Sequence, residues 1–137
     1  MTFVIDTNVV AYYLLGAQPF VGEVRRFMAA VGYSLAPVLW EAELANVVWM
    51  AIRFGVLSPE EGAARLKLAA QLGIESVPTR PLCQGALMRS LTSGVAVYDT
   101  LFVELAIREG CPLATFDKAV LKAFPNVAAR PGALVSP

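Results

Sequence analysis

The sequence predicts an α/β protein, a three-layer α/β/α sandwich with a mainly parallel central sheet. Short apolar runs of strand length alternate with longer segments of helical pattern along most of the 137 residues, which is typical of parallel strands joined by helices. Hydrophobic residues make up 57% of the chain and charged residues only 16%, as expected where helices cover both faces of a sheet. The length fits one domain, so we predict a single domain over residues 1–137.

The first part of the chain is predicted to contain two helices between two strands. Thr2–Ile5 is a short apolar run and is predicted to be a buried strand. Helices are predicted over Asn8–Leu15 and Gly22–Val31, and Gly32 is a stop signal for the second one. Tyr33–Ala36 is the second predicted strand.

Two helices follow in the middle of the chain. Val38–Phe54 is predicted to be a long helix, with Pro37 in its first turn and Gly55 at its end. It is apolar on nearly all sides, so we expect it to be buried on more than one side. Ser58-Pro59-Glu60-Glu61 is a capping box with proline at the first helical residue, and it predicts a helix to about Leu72.

The remaining elements continue the alternation of strands and helices. In order, the predicted elements are a strand at Ile74–Val77, helices at Leu82–Leu91 and Ser93–Glu109, a strand at Cys111–Thr115, a helix at Lys118–Phe124 and an edge strand at Val127–Ala129. Within this part, Glu104 and Arg108 are four residues apart and are predicted to lie on a solvated helix face. The tail, residues 131–137, is predicted to be loosely held.

The composition excludes several classes of function. Histidine is absent, which removes Ser-His-Asp and Cys-His catalysis and zinc sites that use imidazole. Cys83 and Cys111 are expected to be reduced, packed thiols. No apolar run reaches the roughly 18 residues that span a bilayer, and we expect a cytoplasmic protein without a signal peptide or membrane contact. Eleven basic and eleven acidic residues cancel, so any nucleic-acid contact has to be local.

Four acidic residues occupy positions where an α/β protein commonly builds its site. Asp6 and Asp117 end predicted strands, and Glu43 lies within two turns of the start of the helix that follows the second strand. The carboxyl ends of parallel strands meet at one edge of the sheet, so these three should approach each other. Asp99 lies early in a later helix.

Ordinary structural roles compete with a site at these positions. Asp6 and Asp117 could simply be helix N-caps, each worth about 1 kcal/mol, and a helix dipole favours Asp99 near a helix start. Glu43 is harder to explain, because it shares one face of an apolar helix with Asn46 and an unpaired buried charge is costly. Two carboxylates about 4 Å apart repel by about 4 kcal/mol at an effective dielectric near 20, so a cluster of four needs a cation. Oxygen ligands alone select Mg²⁺ or Mn²⁺.

Four fragments that contain these acids follow one another in a characteristic order. They are Val4-Ile5-Asp6-Thr7-Asn8, Glu43-Leu44-Ala45-Asn46-Val47, Tyr98-Asp99-Thr100-Leu101-Phe102-Val103-Glu104-Leu105-Ala106 and Leu113-Ala114-Thr115-Phe116-Asp117. The acids are separated by 37, 56 and 18 residues. In this order and spacing the fragments resemble PIN-domain proteins, and within them the VapC-type toxins of bacterial and archaeal toxin–antitoxin pairs. The resemblance spans nearly the whole chain.

The resemblance implies a ribonuclease site of four carboxylates that hold one or two Mg²⁺ or Mn²⁺ ions. The implied ligands are Asp6, Glu43, Asp99 and Asp117. Such a site hydrolyses RNA phosphodiester bonds with a metal-activated water and leaves a 5′-phosphate on the downstream fragment. Polar neighbours implied to orient a carboxylate or a water are Thr7, Asn8, Asn46 and Thr115. Ordinary turn and capping hydrogen bonds explain these four equally well.

The resemblance also implies partners, and two other functions stay open. The implied partners are an RNA substrate, a VapB-like antitoxin that binds an apolar groove, and a second copy of the chain in a homodimer. A non-catalytic PIN-fold interaction protein is one alternative. The other is a phosphoryl-transfer domain with a phosphorylated aspartate, which we disfavour because Asn8 stands where the dehalogenase-type pattern has a second acid.

Overall fold

A five-stranded sheet, parallel throughout, forms the centre of the protein in the computed structural model, which describes residues 1–135. The strands in chain order are β1 Thr2–Ile5, β2 Tyr33–Pro37, β3 Ile74–Val77, β4 Leu113–Ala114 and β5 Ala128–Ala129. Their order across the sheet is β3-β2-β1-β4-β5. Phe3, Val4 and Ile5 of β1 are fully buried, so helices cover both faces of the central strand. The predicted fold class is confirmed.

Helices account for most of the rest of the described chain. In order they are α1 Thr7–Leu15, α2 Val21–Ala30, α3 Leu39–Arg53, α4 Pro59–Ala70, α5 Cys83–Ser93, α6 Val97–Glu109, α7 Lys118–Ala123 and α8 Pro131–Leu134. A short 3₁₀ turn, Arg80–Leu82, precedes α5. The predicted capping box begins α4, since the Ser58 hydroxyl and the Glu61 carboxylate each accept a backbone N–H from the other residue.

The topology places a switch point between β1 and β4. From β1 the chain runs to β2 and then β3 on one side, and it later returns to place β4 and β5 on the other side of β1. Ligands of open α/β sheets bind outside the carboxyl ends of the strands at such a point. Asp6 follows β1 at this edge of the sheet, and residues 115–117 follow β4.

Some element boundaries differ from the prediction. Pro37 ends β2 instead of starting the next helix, because the chain stays extended there and the Val38 N–H donates to the Val77 carbonyl at 2.7 Å. Ser93 ends α5 instead of starting α6, because Gly94 takes a left-handed conformation (φ 77°) and ends the helix. β4 is shorter than predicted, at two residues.

One prediction about burial and one about the tail differ from the structure. Helix α3 is buried along one face only, through Trp40, Leu44 and Val48, and Trp49 on its outer face is 52% exposed. The described residues of the tail are also not loose. Residues 131–134 form α8, which packs on α2, where the Glu23 carboxylate accepts the Gly132 N–H at 2.8 Å. Residues 136 and 137 lie outside the described part of the chain.

Membrane-spanning potential was predicted to be absent. Within residues 1–135, no single helix has the length and apolar character to cross a bilayer. The segments 80–93 and 97–109 pass that test only when joined, and they meet at an angle of 114°.

Candidate functional site

Asp6 lies at the end of β1 and is almost completely buried, with 7% of its surface exposed. Its Oδ1 accepts the Thr7 N–H at 2.8 Å and caps α1, and its Oδ2 accepts the Thr115 hydroxyl at 2.7 Å. Burial raises the pKa of Asp6 to about 7, the Thr115 hydrogen bond opposes that rise, and the charges of Asp99 and Glu43 add to it. Asp6 therefore caps α1 with one oxygen and binds the Thr115 hydroxyl with the other.

Glu43 lies on α3 and is half-buried. Its Oε1 accepts the Thr7 hydroxyl at 2.7 Å, so Thr7 contacts Asp6 through its backbone and Glu43 through its side chain. Burial raises the pKa of Glu43, and the negative charge of Asp99 raises it further. Asn46, one turn along the same helix, is exposed, and its side chain makes no hydrogen bond within the described residues.

Asp99 lies in the first turn of α6, and its side chain makes no hydrogen bond within the described part of the chain. Burial raises the pKa of Asp99, and the charge of Asp117 contributes. The next residue, Thr100, is fully buried and donates its hydroxyl to the Ala86 carbonyl of α5 at 2.9 Å. Thr100 Oγ1 also lies 2.8 Å from Ser90 Oγ. The backbone of α6 therefore sets the position of Asp99.

Asp117 is the N-cap of α7, since its Oδ1 accepts the Val120 N–H at 3.0 Å. Thr115 lies between Asp117 and Asp6. The Thr115 hydroxyl donates to Asp6 and accepts the Asp117 N–H at 3.0 Å. Asn8 closes this part of the site: its Nδ2 donates to Thr115 Oγ1 at 3.4 Å, and its Oδ1 accepts the Phe116 N–H at 3.3 Å.

The four acids influence one another, but they do not form a preassembled metal cage. Asp99 raises the pKa of both Asp6 and Glu43, and Asp117 raises that of Asp99, so all four lie within electrostatic reach of at least one other. In residues 1–135, the ion pairs use only Glu23 and Glu104 as acids. In the same residues, no three acidic or cysteine side chains converge closely enough to hold one ion between them.

Glu104 corrects the sequence prediction, because it is buried and not part of a solvated face. Only 5% of its surface is exposed. The Arg89 guanidinium of α5 lies 3.2 Å from its Oε1, and Arg108 lies 3.7 Å from its Oε2. Gly85 of α5 makes room, because a Cβ there would lie 2.3 Å from the Glu104 carboxylate. The one signal of this arrangement in the sequence is Gly85, four residues before Arg89. The helical pattern by itself does not indicate that this pair faces a buried acid.

Comparisons with known proteins identify the family and the fold of the chain. The family model described as PIN domain matches residues 3–128. No curated protein matches the sequence. One similar solved structure is VapBC2 from Rickettsia felis bound to a DNA fragment from its promoter (16% identity, 95% of this chain and 98% of that chain, TM-score 0.66). Another is Mycobacterium tuberculosis VapC20, a sarcin–ricin loop cleaving toxin (14% identity, 85% and 90%, TM-score 0.66). At these identities the likeness shows the fold.

Proposed function

The chain belongs to the PIN domain family, and from that premise we propose that it is a divalent-metal-dependent endoribonuclease, the VapC-like toxin of a type II toxin–antitoxin system. One observation carries the proposal. Four carboxylates lie within electrostatic reach of one another at the edge of the sheet, negative charges of the set add to the raised pKa values of three of them, and none of the four is paired with a cation within the described residues. The four are Asp6, Glu43, Asp99 and Asp117.

The donor set fits one or two Mg²⁺ or Mn²⁺ ions. All four side chains offer hard oxygen atoms, which these ions prefer. Mg²⁺ keeps several of its waters and needs only one or two direct carboxylates, with phosphate oxygens completing the shell. Within the described residues no three of the acids converge on one point, which agrees with this habit better than with a dehydrated, all-protein cage.

The neighbouring hydroxyls hold two of the proposed ligands in place. Thr115 fixes one oxygen of Asp6, and Thr7 fixes one oxygen of Glu43, so each carboxylate keeps a defined rotamer. Asp6 has to be ionised to bind a cation, and its raised pKa makes the ionised form costly when no cation is present. A bound ion would lower the pKa of a water and stabilise charge on the scissile phosphate.

Exposed apolar side chains support the two proposed protein partners, a VapB-like antitoxin and a second copy of the chain. Trp49 and Phe54 project from the outer face and end of α3 with 52% and 72% of their surface exposed. Helix α5 exposes Met88 and Leu91. Isolated exposed apolar residues are common, but large ones grouped on two helices are typical of surfaces that bind other proteins.

RNA cleavage by the purified full-length chain tests the proposal. We expect structured tRNA or ribosomal RNA fragments to be cut with Mg²⁺ or Mn²⁺ and to stay intact with a chelator. Asp99→Asn should abolish cutting while the circular dichroism spectrum and the melting temperature show a folded protein. The matched control is Glu109→Gln, which removes one exposed negative charge outside the site and should leave cutting unchanged. Cutting by Asp99→Asn would refute the metal-site role.

A binding-only protein gives a different result in the same assay. It would bind a VapB-like antitoxin tightly and cut no RNA tested, at any concentration of either metal. Mn²⁺ binding, followed by its electron paramagnetic resonance signal, then distinguishes a protein that lacks activity from one that lacks the metal site. A protein that binds Mn²⁺ through Asp99 and cuts nothing has lost or never had the activity, whereas one that binds no Mn²⁺ lacks the proposed site altogether.

A further inference from the structure

An aromatic and arginine cluster borders the acidic site along the same edge of the sheet. Strands β1, β4 and β5 are neighbours, and the residues that follow them are Asp6, the segment 115–117 and Arg130. Phe116 stands between Thr115, which bonds Asp6, and the cap residue Asp117. The cluster therefore begins one residue away from a proposed metal ligand.

The geometry within the cluster resembles a stacking platform. The Tyr12 and Phe20 rings stack at 4.6 Å with planes 10° apart, and the Phe116 ring lies 5.2 Å from Tyr12 and 5.0 Å from Phe20. The Arg130 guanidinium lies over the Phe116 ring at 5.0 Å. Both nitrogens that bind Glu23 are on one side of that guanidinium, and the Arg130 side chain keeps 51% of its surface exposed.

The exposed charged side chains differ in sign between the two sides of this sheet edge. Beyond β5 and on α7, the exposed charged side chains are Lys118, Lys122 and Arg130, and Glu23 is paired with Arg130. On the β2–β3 side, Glu41 is exposed and accepts the Ser76 hydroxyl. A polyanion that enters the acidic site therefore meets less repulsion from the α7 and β5 side.

We propose that the Phe116–Arg130 stack is a nucleotide subsite on which an unpaired RNA base stacks beside the scissile phosphate, and the inference rests on the proposed function. Bases of single-stranded RNA stack on aromatic rings and on arginine planes. Glu23 holds one edge of the guanidinium and Phe116 lies against one of its faces, while 51% of the side-chain surface of Arg130 is exposed and available to a base. Lys118, the exposed first residue of α7, directly follows the cap residue Asp117 and is the cation proposed for the flanking phosphate.

Binding of a short unstructured RNA tests the subsite. Anisotropy of a labelled oligonucleotide is measured with chelator and in an Asp99→Asn background, so that no RNA is cut. We expect Arg130→Ala to weaken binding about tenfold, which is the usual loss of one stacked base. Arg130→Lys keeps the charge without the plane, and it should bind as weakly as Arg130→Ala to within about threefold. The control Lys67→Ala removes one exposed charge on α4 and should change binding less than about twofold.

An abasic oligonucleotide of the same length and charge separates stacking from electrostatics. The difference between the parent protein and Arg130→Ala should vanish on this probe. The subsite is refuted if Arg130→Lys restores full binding or if the abasic probe keeps the tenfold difference, since Arg130 would then act as a charge alone. Equal binding by Arg130→Ala and Lys67→Ala refutes it as well and leaves Arg130 as an anchor for α8.

Different results would refute the nucleotide subsite and the proposed nuclease activity. If the parent chain cuts RNA and Arg130→Ala binds and cuts equally well, the nuclease stands and the subsite is wrong. If no RNA is cut but base-dependent binding through Arg130 persists, the subsite stands on a protein that binds RNA without cleaving it. Melting temperatures of both Arg130 variants confirm that α8 stays docked, and Arg130→Lys retains a cation opposite Glu23.

Discussion

Carboxylates are buried in two regions of this protein, and the charges that surround them have opposite signs. Glu104, between α5 and α6, faces two arginines of its own chain, and a glycine leaves it room. Asp6, between β1 and β4, receives only a backbone N–H and a hydroxyl, and its nearest charges are other acids. A buried charge without a counter-charge is costly. Arginines of the same chain therefore balance the charge of Glu104, whereas within the described residues no cation is paired with Asp6.

The largest expected effect is on the pH dependence of stability without metal. Burial raises the pKa of Asp6 in the folded protein to about 7, above the ordinary aspartate value of 3.8, so the folded state holds this proton more tightly than the unfolded state does. Retaining this proton stabilises the folded state. The stabilisation is fully present below about pH 4 and is lost as the pH rises through about 7, which lowers the free energy of unfolding by about 4 kcal/mol. Urea unfolding in chelator should show it, and Mg²⁺ or Mn²⁺ at pH 8 should restore stability.

The variant Asp6→Asn isolates this effect. The amide cannot ionise but can still accept the Thr7 N–H, so most of the loss between pH 4 and pH 8 should disappear. The raised pKa values of Glu43 and Asp99 give a smaller residual change with the same sign. A parent protein whose stability in chelator is flat over this range would contradict the contrast between the two regions.

The second effect concerns the region around Glu104, whose charge is balanced by two arginines of the same chain. Gly85→Ala places a methyl group against a carboxylate that two arginines hold, so we expect a loss of about 2 kcal/mol in the free energy of unfolding. Gly22→Ala is the matched control, because its Cβ meets nothing closer than 3.8 Å and alanine favours the helix. In a Glu104→Ala background the Gly85→Ala penalty should largely vanish, which a double-mutant cycle measures. An unchanged penalty would place the clash elsewhere.

The smallest effect tests the hydroxyl that orients Asp6. Thr115→Val keeps the shape of the side chain and removes the hydrogen bond to the carboxylate. Losing such a supporting contact typically lowers metal affinity 10–100-fold, so Mn²⁺ should bind more weakly, by about tenfold in calorimetry. Thr92→Val on α5 is the control, since the Thr92 hydroxyl bonds only to backbone carbonyls of its own helix. Equal affinities in the two variants would mean that Thr115 has no orienting role.

Much of the architecture follows from local sequence patterns. The apolar run before Asp6, the capping box at Ser58 and the glycine after Glu109 each specify a boundary through neighbours a few residues away. The boundaries that differed, at Pro37 and Ser93, depend on a pairing with β3 and on a left-handed glycine. Pairing between two strands and the backbone conformation of one glycine are not visible in the pattern of apolar residues along the chain.

The four acids and their order along the chain were readable from the sequence, since each is tied to a strand end or a helix start. The strand ends also predicted that three of them approach one another, but the place of Asp99 among them depends on how α6 packs. The tertiary structure alone decided that Thr7 and Thr115 face carboxylates, that Asn46 faces solvent and that Glu104 is buried. Spacing along a helix fixes which residues share a face, but packing against another element decides whether that face meets water or an arginine.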